Sequence, residues 1–434
     1  MTTTSSFYGR SMRPFWVLWL GQAVSLLGSQ VVQFALIWWL TQRTGSATVL
    51  ALATLVGMLP QIVLGPFVGV LVDRWNRRLI MLVADSATAA ATILLIFLFA
   101  TGTVQIWHIY VIMFIRSLGG TFHFNSMSSS TSLMVPKEHL ARIQGFNQML
   151  NGGMNIASAP LGAFMLGVLP MQGVLMLDVV TAVLAIIPLF FIHVPQPEKK
   201  KVSQDAAAKP PSFLGELREG LAYVWRWPAL MLLMAMAMAI NFLLTPTSSL
   251  TPLLVTEHFQ GTAWHLGGLE SAWGIGVILG GLALGIWGGF RSKILTSMTG
   301  LLFIGLGVAS LGLVPSNLFP LAVGGMFILG IAIPITNGPI FAIFQSQVAP
   351  EMQGRVFSLM GSLSSAMSPL GLLIAGPVAD ALGIRFWYVM GGLITILLGL
   401  LGFILPALRQ LDGEPAAAVP PEEVAEGMYI EPVS

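Results

Sequence analysis

Three ionisable side chains lie in stretches that otherwise carry no Asp, Glu, Lys or Arg: Arg116 within 105–134, Asp178 within 172–193 and Glu270 within 263–290. In a hydrocarbon setting each such charge costs about 3 kcal/mol or more unless it is paired or hydrated. Asp178 and Glu270 are the candidates for proton exchange, since an acid held there can trade its charge for a proton; each could instead reach water near the end of its helix. Arg116 needs a carboxylate, a carbonyl ring or water, and serves either a proton-transfer role or as glue between helices. The chain has no cysteine, which excludes disulfides, thiol catalysis and thiolate-bound metal. No metal site is expected. No G-x-x-x-x-G-K-[ST] run cradles a nucleotide. His265 and Glu270, five residues apart, have the spacing of some acyltransferase His/acid pairs, a single thread of enzyme chemistry.

A second group of residues is suited to binding. Asn147, Asn151 and Asn155 recur every four residues and Ser158 follows, which places four polar groups on one helix face. Gln22, Ser25, Ser29 and Gln33 do the same. Both stripes are expected to line a cavity and hydrogen-bond a substrate or water. The alternative is interhelical hydrogen bonding at about 0.6 kcal/mol each. His123, beside Asn125, reads as a packing histidine, with a proton relay as the alternative, and Asp85 as support for a turn near residue 76. Asp380 and Arg385 read as solvated residues beside a turn, and Met231, Met234, Met236 and Met238 as lipid-facing filler.

The elements that must position these residues follow from composition. Of 434 residues 55% are apolar and 9% charged, with mean hydropathy +0.83. A soluble domain carries about 25% charged residues, so this chain cannot clothe a solvated surface. It reads as an all-α polytopic membrane protein. At about 20 apolar residues per span, helices are expected near 14–41, 46–72, 79–101, 105–134, 143–169 and 172–193, then 229–256, 263–290, 294–314, 318–348, 356–381 and 384–408. Twelve spans put both termini on one side. With the termini in the cytoplasm, every Lys and Arg falls inside except Arg43, Arg385 and the buried Arg116. No removable signal peptide is expected at the N-terminus.

The domain organisation reads as a cytoplasmic N-terminus (1–13), a six-helix bundle (14–193), a cytoplasmic linker (194–228), a second six-helix bundle (229–408) and an acidic, Pro-rich disordered tail (409–434). Within the linker, Phe213, Leu217, Leu221 and Val224 recur at helical spacing after the N-cap candidate Ser212, which predicts an amphipathic helix on the cytoplasmic leaflet. The bundles read as repeats. Met113-Phe114-Ile115 recurs as Met326-Phe327-Ile328, Val135 as Val348 and Arg142 as Arg355, while Ala159-Pro160-Leu161-Gly162 returns as Ser368-Pro369-Leu370-Gly371. Two parallel six-helix halves suggest alternating access around a midplane cavity.

Between the second and third expected helices lies Gly69-Val70-Leu71-Val72-Asp73-Arg74-Trp75-Asn76-Arg77-Arg78. Asp73 falls at a helix C-terminus, where the macrodipole disfavours an anion. It therefore needs Arg74, Arg77, Arg78 or the N-terminus of another helix, and the helix that begins beside Arg355 offers both a dipole end and a guanidinium. This stretch resembles the signature loop of the major facilitator superfamily. Gly21-Gln22, Ser25, Gly28-Ser29, Phe34-Ala35-Leu36, Trp39 and Thr44-Gly45-Ser46-Ala47-Thr48 resemble its macrolide-efflux branch of drug:proton antiporters. So do Val135-Pro136-Lys137-Glu138-His139-Leu140-Ala141-Arg142, Gly145, Asn147-Gln148, and Pro350 with Gly354-Arg355-Val356-Phe357-Ser358. The pattern departs at Asn76, where the superfamily usually has Gly; Asn replaces Gly best at positive φ, so the turn is expected to survive.

The resemblance implies that Gly69, Asp73, Arg74, Arg77 and Arg78 form a cytoplasmic latch, with Arg355 as partner. The match of Arg116 and Gly120 to the superfamily's helix 4 motif implies a part in proton transfer. It also implies a bacterial inner-membrane exporter of bulky amphipathic molecules such as macrolides, powered by the proton gradient without a cofactor. The expected partners are a small-molecule substrate and the lipid bilayer, with no nucleic acid, and the chain is expected to work as a monomer. The alternatives are a dedicated exporter of an endogenous metabolite such as a siderophore or lipid and, more remotely, an acyltransferase-type membrane enzyme.

Overall fold

The computed structural model describes residues 12–192, 194–196, 224–225, 227–348 and 350–412. The expected amphipathic helix after Ser212 and most of the acidic tail lie outside them. Twelve long helices run through the described residues: α1 (Arg13–Thr44), α2 (Ala47–Arg74), α3 (Arg77–Ala100), α4 (Ile106–Met134), α5 (Lys137–Val168), α6 (Met171–Phe191), α7 (Pro228–Leu253), α8 (Ala263–Trp287), α9 (Lys293–Leu313), α10 (Phe319–Gln347), α11 (Pro350–Leu382) and α12 (Ile384–Ile404). Among the described residues ten of these helices are long and apolar enough to cross a membrane; α4 and α5 are not among the ten. Their sequences explain it. α4 carries Arg116 and a Ser/Thr-rich last third, and α5 carries Lys137, Glu138, Arg142 and three Asn.

The hydropathy pattern places the starts of α5 and α11 at 143 and 356, whereas both helices begin six residues earlier. Hydropathy reports the apolar run, but the helix continues past it into polar surroundings, after Pro136 in one case and from Pro350 in the other; proline at a helix start leaves no orphan donor. The starts at Lys137 and Pro350 are 213 residues apart, the offset of the expected repeat. Before them Val135 (φ −109°, ψ 131°) and Val348 (φ −85°, ψ 131°) end their helices in the same extended conformation. The Gly162–Gly371 correspondence also has a physical cause. A Cβ on Gly162 would stand 2.5 Å from the ring of Phe34 on α1, and one on Gly371 would stand 2.2 Å from the Phe242 carbonyl oxygen on α7. In each half the helix yields its side chain where a phenylalanine-bearing helix crosses it.

The chain divides into two compact units, Met1–Lys201 with Ser249–Gly274 and Ala375–Ile384, and Val202–Ser248 with Ile275–Ile374 and Arg385–Ser434. The unit limits cut across the expected halves, because parts of α7, α8 and α11 group with the first six helices. In the first unit α1 packs on α5 and α6, α3 on α4 and α6, and α2 on α4. In the second, α9 packs on α10.

The turn at Asn76 does not use positive φ. Asn76 has φ −70° and ψ 111°, and its side chain caps α3 by accepting from the Leu79 backbone N–H at 3.2 Å. Its short amide supplies a helix cap, so the residue is suited to the site for a reason other than glycine's freedom. Asn76→Ala is expected to cost about 1 kcal/mol and Asn76→Gly only a few tenths, read as shifts in the thermal unfolding midpoint of the detergent-solubilised protein.

Candidate functional site

Arg116 and Asp178 meet. Arg116 on α4 forms an ion pair with Asp178 on α6, with side chains 8% and 1% exposed. Ser29 Oγ on α1 donates to Asp178 Oδ1 at 2.8 Å, and Thr92 Oγ1 on α3 lies 3.1 Å from Oδ2. Arg116 also donates to Thr92 Oγ1 at 2.6 Å and to the Ser29 carbonyl at 3.4 Å. Four helices are thus tied at one buried point, and the guanidinium finds the carboxylate its position demanded. The repeat does not reproduce it, since the counterpart of Arg116 in the second half is Leu329.

The α1 stripe points into the same bundle. Gln22 is buried and donates to Asp85 Oδ2 on α3 at 3.1 Å, Ser25 is buried, Ser29 serves Asp178, and Gln33 is half-buried. On α5 the arrangement differs. Asn151 and Asn155 are exposed and Ser158 half-buried, while Asn147 accepts from Trp19 Nε1 at 2.7 Å. Glu270 on α8 joins this second group. Gly267 and Gly274, one turn before and after it, face α5: a Cβ on Gly267 would stand 3.3 Å from the Ala159 carbonyl oxygen, and one on Gly274 would stand 2.7 Å from Ile156 Cγ1. The face of α8 that carries Glu270 therefore packs beside the Asn155–Ser158 turn of α5.

At the α2–α3 turn, Arg77 is buried and donates to the Ser129 carbonyl near the end of α4 at 2.8 Å. Arg78 donates to the carbonyls of Leu189 and Phe190 in the last turn of α6, the latter at 2.6 Å. Arg78 thus neutralises the C-terminal dipole of α6, and Arg77 ties the start of α3 to α4. Arg74 is exposed, and a Cβ on Gly69 would meet nothing within 4 Å. The side chains of Asp73 and Arg355 lie outside the described residues.

Several sequence expectations need correction. Asp85 does not serve the turn near residue 76 but sits inside the bundle against Gln22 and, at 3.8 Å, His123 Nε2. His123 is buried, yet its Nε2 has no hydrogen-bond partner among the described residues, so it is not a satisfied packing histidine. Asp380, exposed by area, is not merely solvated: it accepts from the backbone N–H of Ala47 at 2.6 Å and Thr48 at 3.0 Å and from Ser46 Oγ at 3.0 Å. Its own helix opposes an anion at that end, and the N-terminus of α2 welcomes one. Arg385 donates to the Gly312 carbonyl at 2.7 Å. Met234 and Met236 are buried core residues and not lipid-facing filler. His265 Nδ1 accepts from the Thr262 N–H at 3.0 Å at the start of α8; five helical residues put Glu270 well round the helix from it, so the two form no His/acid pair. Asp380→Ala is expected to cost about 1 kcal/mol as a lost helix cap, again read from thermal unfolding.

A family model described as Major Facilitator Superfamily matches residues 18–372. The chain belongs to the major facilitator superfamily. It is 34% identical over 398 residues to macrolide efflux protein A of Streptococcus pyogenes, covering 92% of this chain and 97% of that protein. It is 27% identical over 404 residues to the multidrug efflux pump Tap of Mycolicibacterium fortuitum, covering 89% and 94%. Among solved structures, a bacterial homologue of the lysosomal transporter Spinster superposes with a TM-score of 0.71 at 14% identity, covering 95% of this chain and all of that one. That likeness establishes the superfamily fold. Superfamily membership makes the chain a multi-pass bacterial membrane transporter of small molecules, and not an enzyme.

Proposed function

We propose that this transporter exports bulky amphipathic, macrolide-like molecules by alternating access coupled to proton antiport, with both termini in the cytoplasm. The observation that carries the reading is the 34% identity to a macrolide efflux protein across 92% of the chain. The α5 face supports it, because Asn151, Asn155 and Ser158 beside Glu270 offer hydrogen-bonding groups and one acid, polar groups of the kind that orient a ligand in an apolar site. Asp73 and Arg355, with the N-terminus of α11, serve as the cytoplasmic latch on this reading. No cofactor enters; the proton gradient supplies the energy.

Cells expressing the transporter should accumulate less labelled macrolide than empty cells, and a protonophore should abolish the difference. Export that persisted without a proton gradient would remove proton coupling. Unchanged accumulation on expression would remove macrolide export itself. Transport by Asp73→Asn at the wild-type rate would remove the latch.

A further inference from the structure

The bundle holds two carboxylates in opposite conditions, Asp178 buried and Asp85 half-buried. Asp178 is saturated, with a guanidinium, a serine hydroxyl and a threonine hydroxyl around its two oxygens. Among the described residues Asp85 has a single close donor, Gln22 Nε2 at 3.1 Å on Oδ2, and its Oδ1 faces His123 Nε2 across 3.8 Å. The imidazole is 7% exposed, and its Nε2 is buried without a hydrogen-bond partner among the described residues. Three residues on along α4, Ser126 Oγ is likewise buried and unpartnered among them. An anion held in apolar surroundings by neutral donors alone is costly. A proton on Nε2 lets it donate to Oδ1 in the neutral tautomer as in the imidazolium, but only the imidazolium, with both ring nitrogens protonated, also balances the charge of the carboxylate.

We propose that Asp85 and His123 form a proton-binding site distinct from the Arg116–Asp178 pair, with Gln22 holding the second carboxylate oxygen. Among the described residues no other ion pair reaches Asp85 or His123. α1 presents Gln22. Arg116, two turns before His123 on α4 and so about 10 Å away along the axis, is taken by Asp178 of α6. At the start of α3, Arg77 and Arg78 reach carbonyls of α4 and α6. On α5, Arg142 lies over the Phe146 ring at 5.7 Å. The pair is held in register: a Cβ on Gly119 would stand 2.7 Å from Thr88 Oγ1 and 3.1 Å from the Ala84 carbonyl oxygen, so α3 and α4 touch backbone to side chain one turn away. The saturated pair fixes the bundle, and the unsaturated one takes up and releases the proton.

The test is a pH titration of the purified, ring-carbon-labelled histidines by NMR, in wild type and in His123→Gln, Asp85→Asn and Gln22→Leu. The six histidines of the chain give few signals, and His123→Gln identifies one by its loss. Asp85→Asn should lower the proton affinity of that group at least about tenfold, because the carboxylate that favours the imidazolium is gone. Should His123→Gln fail to fold, the signal displaced in Asp85→Asn and, to a lesser degree, in Gln22→Leu identifies the same group. A histidine signal that does not respond to pH, or responds unchanged in Asp85→Asn, overturns the site. The binding measurement stands apart from the proposed function. If export proves independent of protons the titration remains, and only the accompanying shift in the pH profile of efflux disappears.

Discussion

Asp178→Ala is expected to cost about 3–5 kcal/mol, because it leaves the Arg116 guanidinium buried with no carboxylate. The solubilised protein should unfold at much lower temperature, and little folded protein should accumulate. Transport would be lost in that variant for either of two reasons, so the informative partner is the double change Arg116→Leu with Asp178→Leu. Replacing a buried ion pair by apolar residues of similar volume is commonly neutral or stabilising by 1–4 kcal/mol, and the second half already carries Leu329 at the position of Arg116. The double variant should therefore regain thermal stability. If it also regains export in the accumulation assay, the pair is structural, and a proton coupled to export would have to be carried elsewhere. If it is stable and inactive, Arg116 and Asp178 take part in transport directly. A single Asp178→Ala variant as stable as wild type would contradict the pairing itself.

Gly280→Val should have the next largest effect. On α8, a Cβ at Gly280 would stand 2.3 Å from the Ile331 carbonyl oxygen and 2.7 Å from its Cα, and one at Gly276 would stand 2.4 Å from the Phe327 carbonyl oxygen. The contacts are backbone, which cannot rotate away, so α8 and α10 must separate. Overpacking of this kind costs about 1–3 kcal/mol or more, and small residues four apart are what lets two helices approach so closely. Gly281 is the built-in control: a Cβ there meets nothing within 4 Å. Gly281→Val should leave the unfolding midpoint near wild type while Gly280→Val lowers it by several degrees. Equal shifts in the two would mean that valine's helix propensity, not the helix crossing, sets the cost.

The sequence makes some of this site legible and hides the rest for identifiable reasons. That Arg116 requires a carboxylate follows from its place in an apolar stretch, but which acid answers it does not, because periodicity assigns residues to helix faces and is silent about which faces meet. The same gap separates the two polar stripes. Gln22 and Ser29 turn inward to Asp85 and Asp178, whereas Asn151 and Asn155 stay exposed, although both stripes read alike. Asp380 reads as solvated because its partners are backbone amides more than 330 positions away in the chain, and backbone donors leave no mark in composition. Asn76 could be recognised as suiting a tight turn, while the choice between positive φ and a helix cap belongs to the local geometry of the α3 start. The repeat is the most readable feature, since matched positions such as Val135 and Val348 end helices in the same way.

The short turns described above have a practical consequence for anyone who wishes to put a reporter on this protein. Only Gly45 and Ser46 separate α1 from α2, only Trp75 and Asn76 separate α2 from α3, and only Val135 and Pro136 separate α4 from α5. Ser46 and Asn76 in these turns are engaged as caps. A foreign domain spliced into either of the first two must break a cap, and one spliced into any of the three must prise apart two helices that share a bundle. A fluorescent insert is better placed outside these turns, and its brightness in cells would report on folding of the helices before and after it.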